Sequence, residues 1–356
     1  MKNNLQLVRG MRASGTFQLF AINDSAIPAQ FSGLEDHDDH KLAHLTICNS
    51  LPILSFLALC RVIFTMSSKK MFALVTGCGE GGIGEALVKE YARRGIHAIA
   101  TVLPNEPNKH LTEAGITCFT LDLTVENSVV ELERSVRVVT GGYLDILVNN
   151  AGICYTMTAI DTEISSVKRM FDVNVFGPMQ MVHHFHDMII RACGTIVNIG
   201  SIGGIVPYLY GGYPEASYNA SKAALHHWSN TLRVEMSPLN VKVITIISGE
   251  IGTNILKNDA HRALPEDSYY APIAAEFRKH VQRTPETTDR FEYATNVVAH
   301  SLKSSPSAWF WYGKTTSIIR FFDTFGWRTF FDWVFWRDFN LGKLKTAHLA
   351  RMKKEL

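Results

Sequence analysis

The chain has 356 residues, enough for one large domain or two small ones with a sizeable buried core. Lys and Arg total 35 against 33 acids, a net charge of +2, so the composition implies no basic face for nucleic acid. The six cysteines, Cys48, Cys60, Cys78, Cys118, Cys154 and Cys193, form no C-x-x-C pair. That scatter argues for free thiols in a reducing compartment and against a zinc site.

Residues 1–66 read as a leader. Residues 1–44 show no sustained period, and the polar run E-D-H-D-D-H from Glu35 to His40 reads as solvated and poorly ordered. Residues 45–66 are mostly apolar, but the cleanest run is only ten residues, Leu51 to Cys60, and contains Pro52. A spanning helix wants about 20 apolar residues. Three readings stay open for this segment: a marginal anchor, an amphipathic segment on the domain or a bilayer, and a leader absent from the mature protein.

From residue 67 the pattern changes. Met71 to Thr76 is a short apolar run that meets the glycine cluster Gly77, Gly79, Gly81, Gly82 and Gly84, and Ile83, Leu87 and Tyr91 follow at helical spacing. Strand, glycine turn and helix make a phosphate cradle, because the glycines admit a pyrophosphate close to the backbone and the helix N-terminus presents free N–H groups to it. Further strands are expected at His97 to Val102, Thr117 to Leu121, Leu144 to Asn149, Gly194 to Ile199 and Val241 to Ser248, alternating with helical segments that include Glu126 to Val139 and a long helix from about Val167 to Arg191. The expected fold is α/β: a Rossmann-type doubly wound parallel sheet in one domain, residues 67–303. His183, His184 and His186 share the long helix without a nearby acid or thiol partner, and they read as ordinary surface and core histidines.

Tyr218-Asn219-Ala220-Ser221-Lys222 carries the chemistry. On a helix, positions four apart share a face, so the Tyr218 hydroxyl and the Lys222 amine can converge on one point. A phenol is a poor acid or base at neutral pH unless a nearby cation stabilises its phenolate, and Lys222 is placed to do that.

T-G-C-G-E-G-G-I-G, N-N-A-G, F-D-V-N-V-F-G, I-V-N-I-G-S and Y-N-A-S-K, in this order, resemble the short-chain dehydrogenase/reductase family. L-D-I-L-V-N-N-A-G, L-P-E-D-S-Y-Y-A-P-I and the aromatic C-terminal stretch are similar to its fungal 1-acyldihydroxyacetone phosphate reductase branch. The resemblance implies hydride transfer between a nicotinamide cofactor and a carbonyl or secondary alcohol, with Asn174, Ser201, Tyr218 and Lys222 as the catalytic set. It implies cofactor contacts from Gly77, Gly82, Ile83, Gly84, Asp122, Asn150, Tyr218, Lys222, Ile251 and Thr253, and no metal. In the family, Asn174 holds a water that links the lysine to solvent, Asp122 touches the adenine ring, and Ile251 and Thr253 hold the nicotinamide amide. Neither acid nor base ends the second strand, where Leu103 and Pro104 stand, so the usual NAD signal is missing and the expected cofactor is NADP(H). Ser248 replaces the usual proline, the glycine turn has one residue more than the family pattern, and the segment between Ser201 and Tyr218 is longer. That extra length falls in residues 207–216 and is expected to border the substrate pocket.

Two substrates suit the resemblance, an acyl-dihydroxyacetone phosphate-like lipid and a fungal polyketide or terpenoid intermediate; both are small hydrophobic carbonyl or alcohol compounds. A non-catalytic dinucleotide-binding sensor or scaffold is the alternative, against which the intact Asn-Ser-Tyr-Lys set argues. Residues 304–356 read as an aromatic amphipathic tail, with Arg320, Arg328 and Arg337 among its Trp and Phe residues. Such a segment suits a membrane interface, and a homo-oligomer contact could use the same side chains. With Lys353 and Lys354 near the end, resembling a dilysine signal, the expected location is the cytosolic face of endoplasmic reticulum or lipid-droplet membrane.

Overall fold

The computed structural model describes residues 70–207, 216–255, 260–327 and 329–355, together with three short backbone strands nearer the start. The apolar segment 45–66, the run Glu35 to His40 and most of the 207–216 loop lie outside the described residues. The chain divides into two units, Met1–Ser68 and Lys69–Leu356. In the first, β1 (Leu7–Met11), β2 (Phe17–Ala21) and β3 (Ala29–Gln30) pair antiparallel in the order β1-β2-β3, where the sequence led us to expect no regular structure.

The second unit is built on a seven-stranded sheet. Its strands are β4 (Phe72–Val75), β5 (His97–Val102), β6 (Thr117–Thr120), β7 (Ile146–Asn149), β8 (Thr195–Ile199), β9 (Lys242–Ser248) and β10 (Trp309–Tyr312). All neighbours pair parallel, in the order β10-β9-β8-β7-β4-β5-β6. The strand order reverses between β4 and β7. In such sheets the crevice beyond the carboxyl ends at the reversal is where a ligand binds.

Parallel strands covered on both faces should be apolar throughout, and β4 and β7 are fully buried. Alternate side chains go to opposite faces: Ala73, Val75, Ile146 and Val148 enter one core, while Phe72, Leu74 and Leu147 enter the other. The first core is roofed by α1 (Ile83–Arg93) and, from later in the chain, Arg290–Ser301, the second by Glu126–Thr140 and Gly177–Ala192. Leu87 and Leu147 have no exposed surface, so truncating either to Ala should cost about 2–5 kcal/mol.

Among the described residues the other α-helices, in chain order, are α2 (Lys109–Thr112), α3 (Glu126–Thr140), α4 (Ile164–Phe171), α5 (Gly177–Ala192), α6 (Ala216–Met236), α7 (Ala274–Val281), α8 (Arg290–Ser301), α9 (Thr316–Phe325), α10 (Phe330–Asp338) and α11 (Leu341–Glu355). The long helix expected from Val167 to Arg191 is interrupted, because Asp172–Phe176 is a π-helical turn between α4 and α5. Pro178 explains why this site deviates: it lies four residues after Asn174 and has no N–H, so the Asn174 carbonyl lacks its α-helical donor. The sheet also runs past residue 303. Trp309 to Tyr312, grouped with the tail in the sequence reading, is the edge strand β10, paired with β9 from Trp309↔Thr245 to Tyr312↔Ser248.

Candidate active site

The turn after β4 is held to the end of β7 by a compact set of hydrogen bonds. Thr76 Oγ1 accepts from the backbone N–H groups of Asn150 (3.0 Å) and Ala151 (3.1 Å). The Asn150 side-chain amide donates back to the carbonyls of Thr76 (2.8 Å) and Gly77 (3.0 Å). Gly77 has φ +69°, and a Cβ there would stand 2.7 Å from the Ala151 Cα. At Gly84 any side chain would run into the Gly77 carbonyl and the Asn150 amide. These two glycines are required by close packing of strand end, turn and helix.

Gly82, in extended conformation, precedes Ile83 at the start of α1, and no side chain caps the helix. The first N–H groups of α1 are left for an anion, and the crevice therefore fits a dinucleotide pyrophosphate. Asp122 lies just past β6; its Oδ1 accepts from the Thr124 N–H and hydroxyl at 2.9 and 2.7 Å. Beyond β9, Ile251 is buried and Thr253 half-buried. Ser248 is buried and hydrogen-bonded to the Tyr293 hydroxyl at 2.6 Å, which accounts for a polar residue where the family has proline.

The four expected catalytic residues gather around two glycines. A Cβ at Gly203 would lie 3.3 Å from Ser201 Oγ and 3.5 Å from the Tyr218 ring; one at Gly152 would lie 3.3 Å from Asn174 Oδ1 and 3.6 Å from Lys222 Nζ. Tyr218 and Lys222 come from one face of α6, and Nζ sits 5.7 Å from the Tyr218 ring centroid. Ser201 Oγ accepts from the Gly203 N–H at 3.0 Å, which leaves its own proton free to donate outward. Asn174 Oδ1 accepts from the Ile153 N–H, and Nδ2 donates to the Ile153 carbonyl and Ser221 Oγ. Its side chain is thus wholly occupied with positioning.

Lys222 is buried and donates to the Ile199 carbonyl at 2.9 Å. Burial pushes its pKa down to about 8. Asn149 donates to Asn198 Oδ1 at 2.8 Å and Asn198 to Ser229 Oγ at 2.8 Å, a buried polar chain that ties β7 and β8 to α6.

Two residues escaped the sequence reading. Glu106 lies three residues past Leu103, yet it folds back so that Oε2 accepts the Leu103 N–H at 3.1 Å and its carboxylate covers Gly79. An acid does therefore stand beside the glycine turn, although none ends the strand. His226 is buried one helical turn beyond Lys222, and its Nε2 accepts the Ser201 N–H at 3.2 Å. That bond fixes the ring proton on Nδ1, which has no partner among the described residues. Burial, and then the Lys222 charge, push the His226 pKa down to about 3. The signal was present as spacing, since 218, 222 and 226 share one face of a helix.

Gly203 also opens onto a cavity of about 710 Å³. Met157, Ile205, Val206 and Ala220 give it an apolar wall; among the described residues Tyr270 and Asp332 are its ionisable lining residues, and no Lys, Arg or His lines it. Pro207 and Ala216, the two ends of the long loop, line it as well.

A nucleotide crevice at the strand-order reversal, beside a Ser-Tyr-Lys-Asn cluster, defines an oxidoreductase site, and the chain belongs to the short-chain dehydrogenase family, whose model matches residues 71–263. It is similar to short-chain dehydrogenase virD of Hypocrea virens, 73% identical over 291 residues, covering 82% of this chain and 100% of that one. It is 41% identical over 224 residues to the NADPH-dependent 1-acyldihydroxyacetone phosphate reductase of Schizosaccharomyces pombe, covering 62% and 73% of the two chains. A solved short-chain dehydrogenase from Streptomyces avermitilis shares the fold, with TM-score 0.63 and 23% identity over 78% of this chain and 99% of its own.

Proposed function

We propose that the protein is an NADP(H)-dependent oxidoreductase that interconverts a carbonyl and a secondary alcohol on an uncharged, largely apolar substrate. The observation that carries this reading is the convergence of Ser201, Tyr218, Lys222 and Asn174 around Gly203 and Gly152, next to a cavity with an apolar wall. A bound nicotinamide dinucleotide supplies or takes the hydride. In the reducing direction the Ser201 hydroxyl donates to the carbonyl oxygen and stabilises the charge that develops there. Tyr218 delivers the proton to that oxygen. Lys222, held by the Ile199 carbonyl beside the phenol, makes the tyrosinate easier to form, and the Asn174 carbonyl positions a water that resupplies the proton.

Gly77, Gly82, Ile83 and Gly84 would hold the pyrophosphate, Asn150 the adjoining ribose, Asp122 the adenine side, and Ile251 and Thr253 the nicotinamide amide. The relative described as NADPH-dependent supports the phosphorylated cofactor, and Glu106 beside Gly79 tempers the preference. Of the two substrate classes, the cavity favours the neutral metabolite: a phosphate monoester would meet the Asp332 carboxylate there and no cation among the described lining residues.

Tyr218→Phe tests the chemistry. Turnover in a carbonyl screen should fall at least about 1000-fold while NADPH affinity stays within about threefold, because only the proton donor is removed. Turnover within tenfold of wild type would remove Tyr218 from the acid role.

For location, we propose peripheral contact with endoplasmic reticulum or lipid-droplet membrane through α9, whose Ile318, Phe321 and Phe325 are exposed on one face, beside exposed Trp327 and Trp333. No helix of the described residues is long and apolar enough to cross a bilayer, so an interfacial contact is the form proposed. Fractionation of full-length protein beside Phe321→Ser/Phe325→Ser tests it; a soluble full-length protein, or an unchanged membrane fraction in the variant, would refute it.

A further inference from the structure

The C-terminal helices are fastened over the cavity. On α10, Phe331 and Phe335 recur every fourth residue and Phe339 continues the series just past its end. Phe335 and Phe339 are only 5% and 6% exposed, packed in a third core with Tyr155 and Met157 from the segment after N-N-A-G and with Ile273, Phe277 and Val281 from the α7 region. Polar contacts lock the same junction. Asn340 donates to Glu276 Oε1 at 2.9 Å, the Lys343 ammonium pairs with that carboxylate at 3.2 Å, and Arg351 lies over the Tyr269 ring at 5.3 Å. Met157 and Tyr270 belong both to this packed junction and to the cavity wall.

The first turn of α10 also reaches the cavity, where Asp332 is the only carboxylate among the described lining residues. No ion pair or hydrogen bond engages it among the described residues. Asp332 is exposed, and its carboxylate accepts hydrogen bonds and donates none, so beside the apolar residues of the lining it selects ligands that bring a donor. Tyr270 and Asn219 add a hydroxyl and an amide to the lining.

We propose that Asp332 is a substrate-recognition residue, which accepts a hydrogen bond from a hydroxyl group remote from the reacting carbonyl. The preferred substrate is then a hydroxylated apolar carbonyl compound, and α10 completes the substrate site. This rests on the oxidoreductase reading above. At an exposed carboxylate, where water competes for the acceptor, such a bond discriminates by roughly 3-fold to 10-fold against an analogue that cannot donate.

The test uses full-length protein with NADPH and naphthaldehydes that carry, at each ring position, a hydroxyl or a methoxy group. Wild type should favour the hydroxyl over the methoxy compound in kcat/KM by at least about 3-fold at its best position. Asp332→Asn should keep part of that ratio and Asp332→Leu should bring it to about one, with KM for NADPH unchanged in both. Dissociation constants for the corresponding naphthyl alcohols read the same discrimination without turnover. If aldehydes are reduced but the ratio in Asp332→Leu equals that of wild type, the recognition role is overturned and the enzyme assignment stands. If nothing is reduced while alcohol binding still discriminates through Asp332, the recognition role stands and the proposed reaction fails. Absence of both turnover and Asp332-dependent binding overturns both.

Discussion

Lys222 carries a stability cost that its removal should reveal. Its ammonium is buried on α6, with the Ile199 carbonyl as its acceptor at 2.9 Å, and burial pushes its pKa from 10.5 to about 8. Each pKa unit is worth about 1.4 kcal/mol, so keeping the side chain charged inside the fold at pH 7 costs on the order of 3 kcal/mol relative to the unfolded chain. The cost is fully present below pH 8, where both states hold the proton, and disappears as pH rises toward 10.5, because the folded protein releases its proton first. Lys222→Met removes the buried charge and keeps a side chain of similar length. It also loses the bond to Ile199, worth about 1 kcal/mol net, and the weak contact with the Tyr218 ring. The cofactor-free variant should therefore be more stable by about 1–2 kcal/mol at pH 7, inactive, and no more stable than wild type near pH 10. Urea denaturation at both pH values measures this, provided the transitions are two-state. A variant less stable than wild type at pH 7 would refute the reasoning and mean that the ammonium is well compensated where it lies.

His226 should act on Ser201 and not on the cofactor: His226→Phe leaves the buried Ser201 N–H unpaired and should lower both stability, by about 1–3 kcal/mol, and kcat, whereas His226→Gln, whose side-chain oxygen can replace Nε2, should recover most of kcat with NADPH affinity unchanged in both. Glu106→Gln should raise the NADPH-to-NADH ratio of kcat/KM by about fivefold to twentyfold, because it removes a negative charge beside the turn that would meet a 2′-phosphate; an unchanged ratio would separate Glu106 from cofactor choice. Acid should destabilise the fold early. Burial, reinforced by Lys222 and Arg283 respectively, pushes His226 and His280 from 6.5 to about 3, so the unfolded chain takes up protons below pH 6.5 that the folded protein does not. Stability should fall by up to about 1.4 kcal/mol per pH unit for each histidine between those values, and a flat urea midpoint from pH 6.5 to 4.5 would contradict this burial.

What the sequence disclosed about the site follows from how local each signal is. Tyr218 and Lys222 sit on one helix four apart, Gly77 to Gly84 span one turn, and Ser201 lies two residues past β8, so a short window of residues contains each piece of chemistry. The π-turn at Asn174 was also locally encoded, in the proline four residues on, but the helical period on either side concealed it. Glu106 was hidden because it belongs to no periodic element: only the chain's return toward Gly79 brings it to the turn. Strand β10 was hidden by composition. Its W-F-W-Y run reads as interfacial, yet its side chains alternate as a strand's must, with Phe310 and Tyr312 packed on the first core and Trp309 against His226.

The C-terminal aromatics show where periodicity stops being informative. Ile318, Phe321 and Phe325 on α9 and Phe331, Phe335 and Phe339 on and after α10 have nearly the same spacing, and each triplet makes one apolar helical stripe. One stripe is exposed, Phe325 to 77%, whereas the deepest side chains of the other are almost fully covered. Spacing cannot separate the two cases, because burial depends on what lies opposite. For α10 the opposite surface is Tyr155, Met157 and Phe277, which are distant in sequence and are brought together by the tertiary fold. A segment that reads uniformly as an amphipathic tail is therefore split by tertiary contacts, with α10 packed into the third core and touching the cavity, and α9 left with an outward apolar face. It follows that damage to α10 should change substrate selectivity, whereas changes confined to the outer face of α9 should leave turnover in detergent-free solution intact.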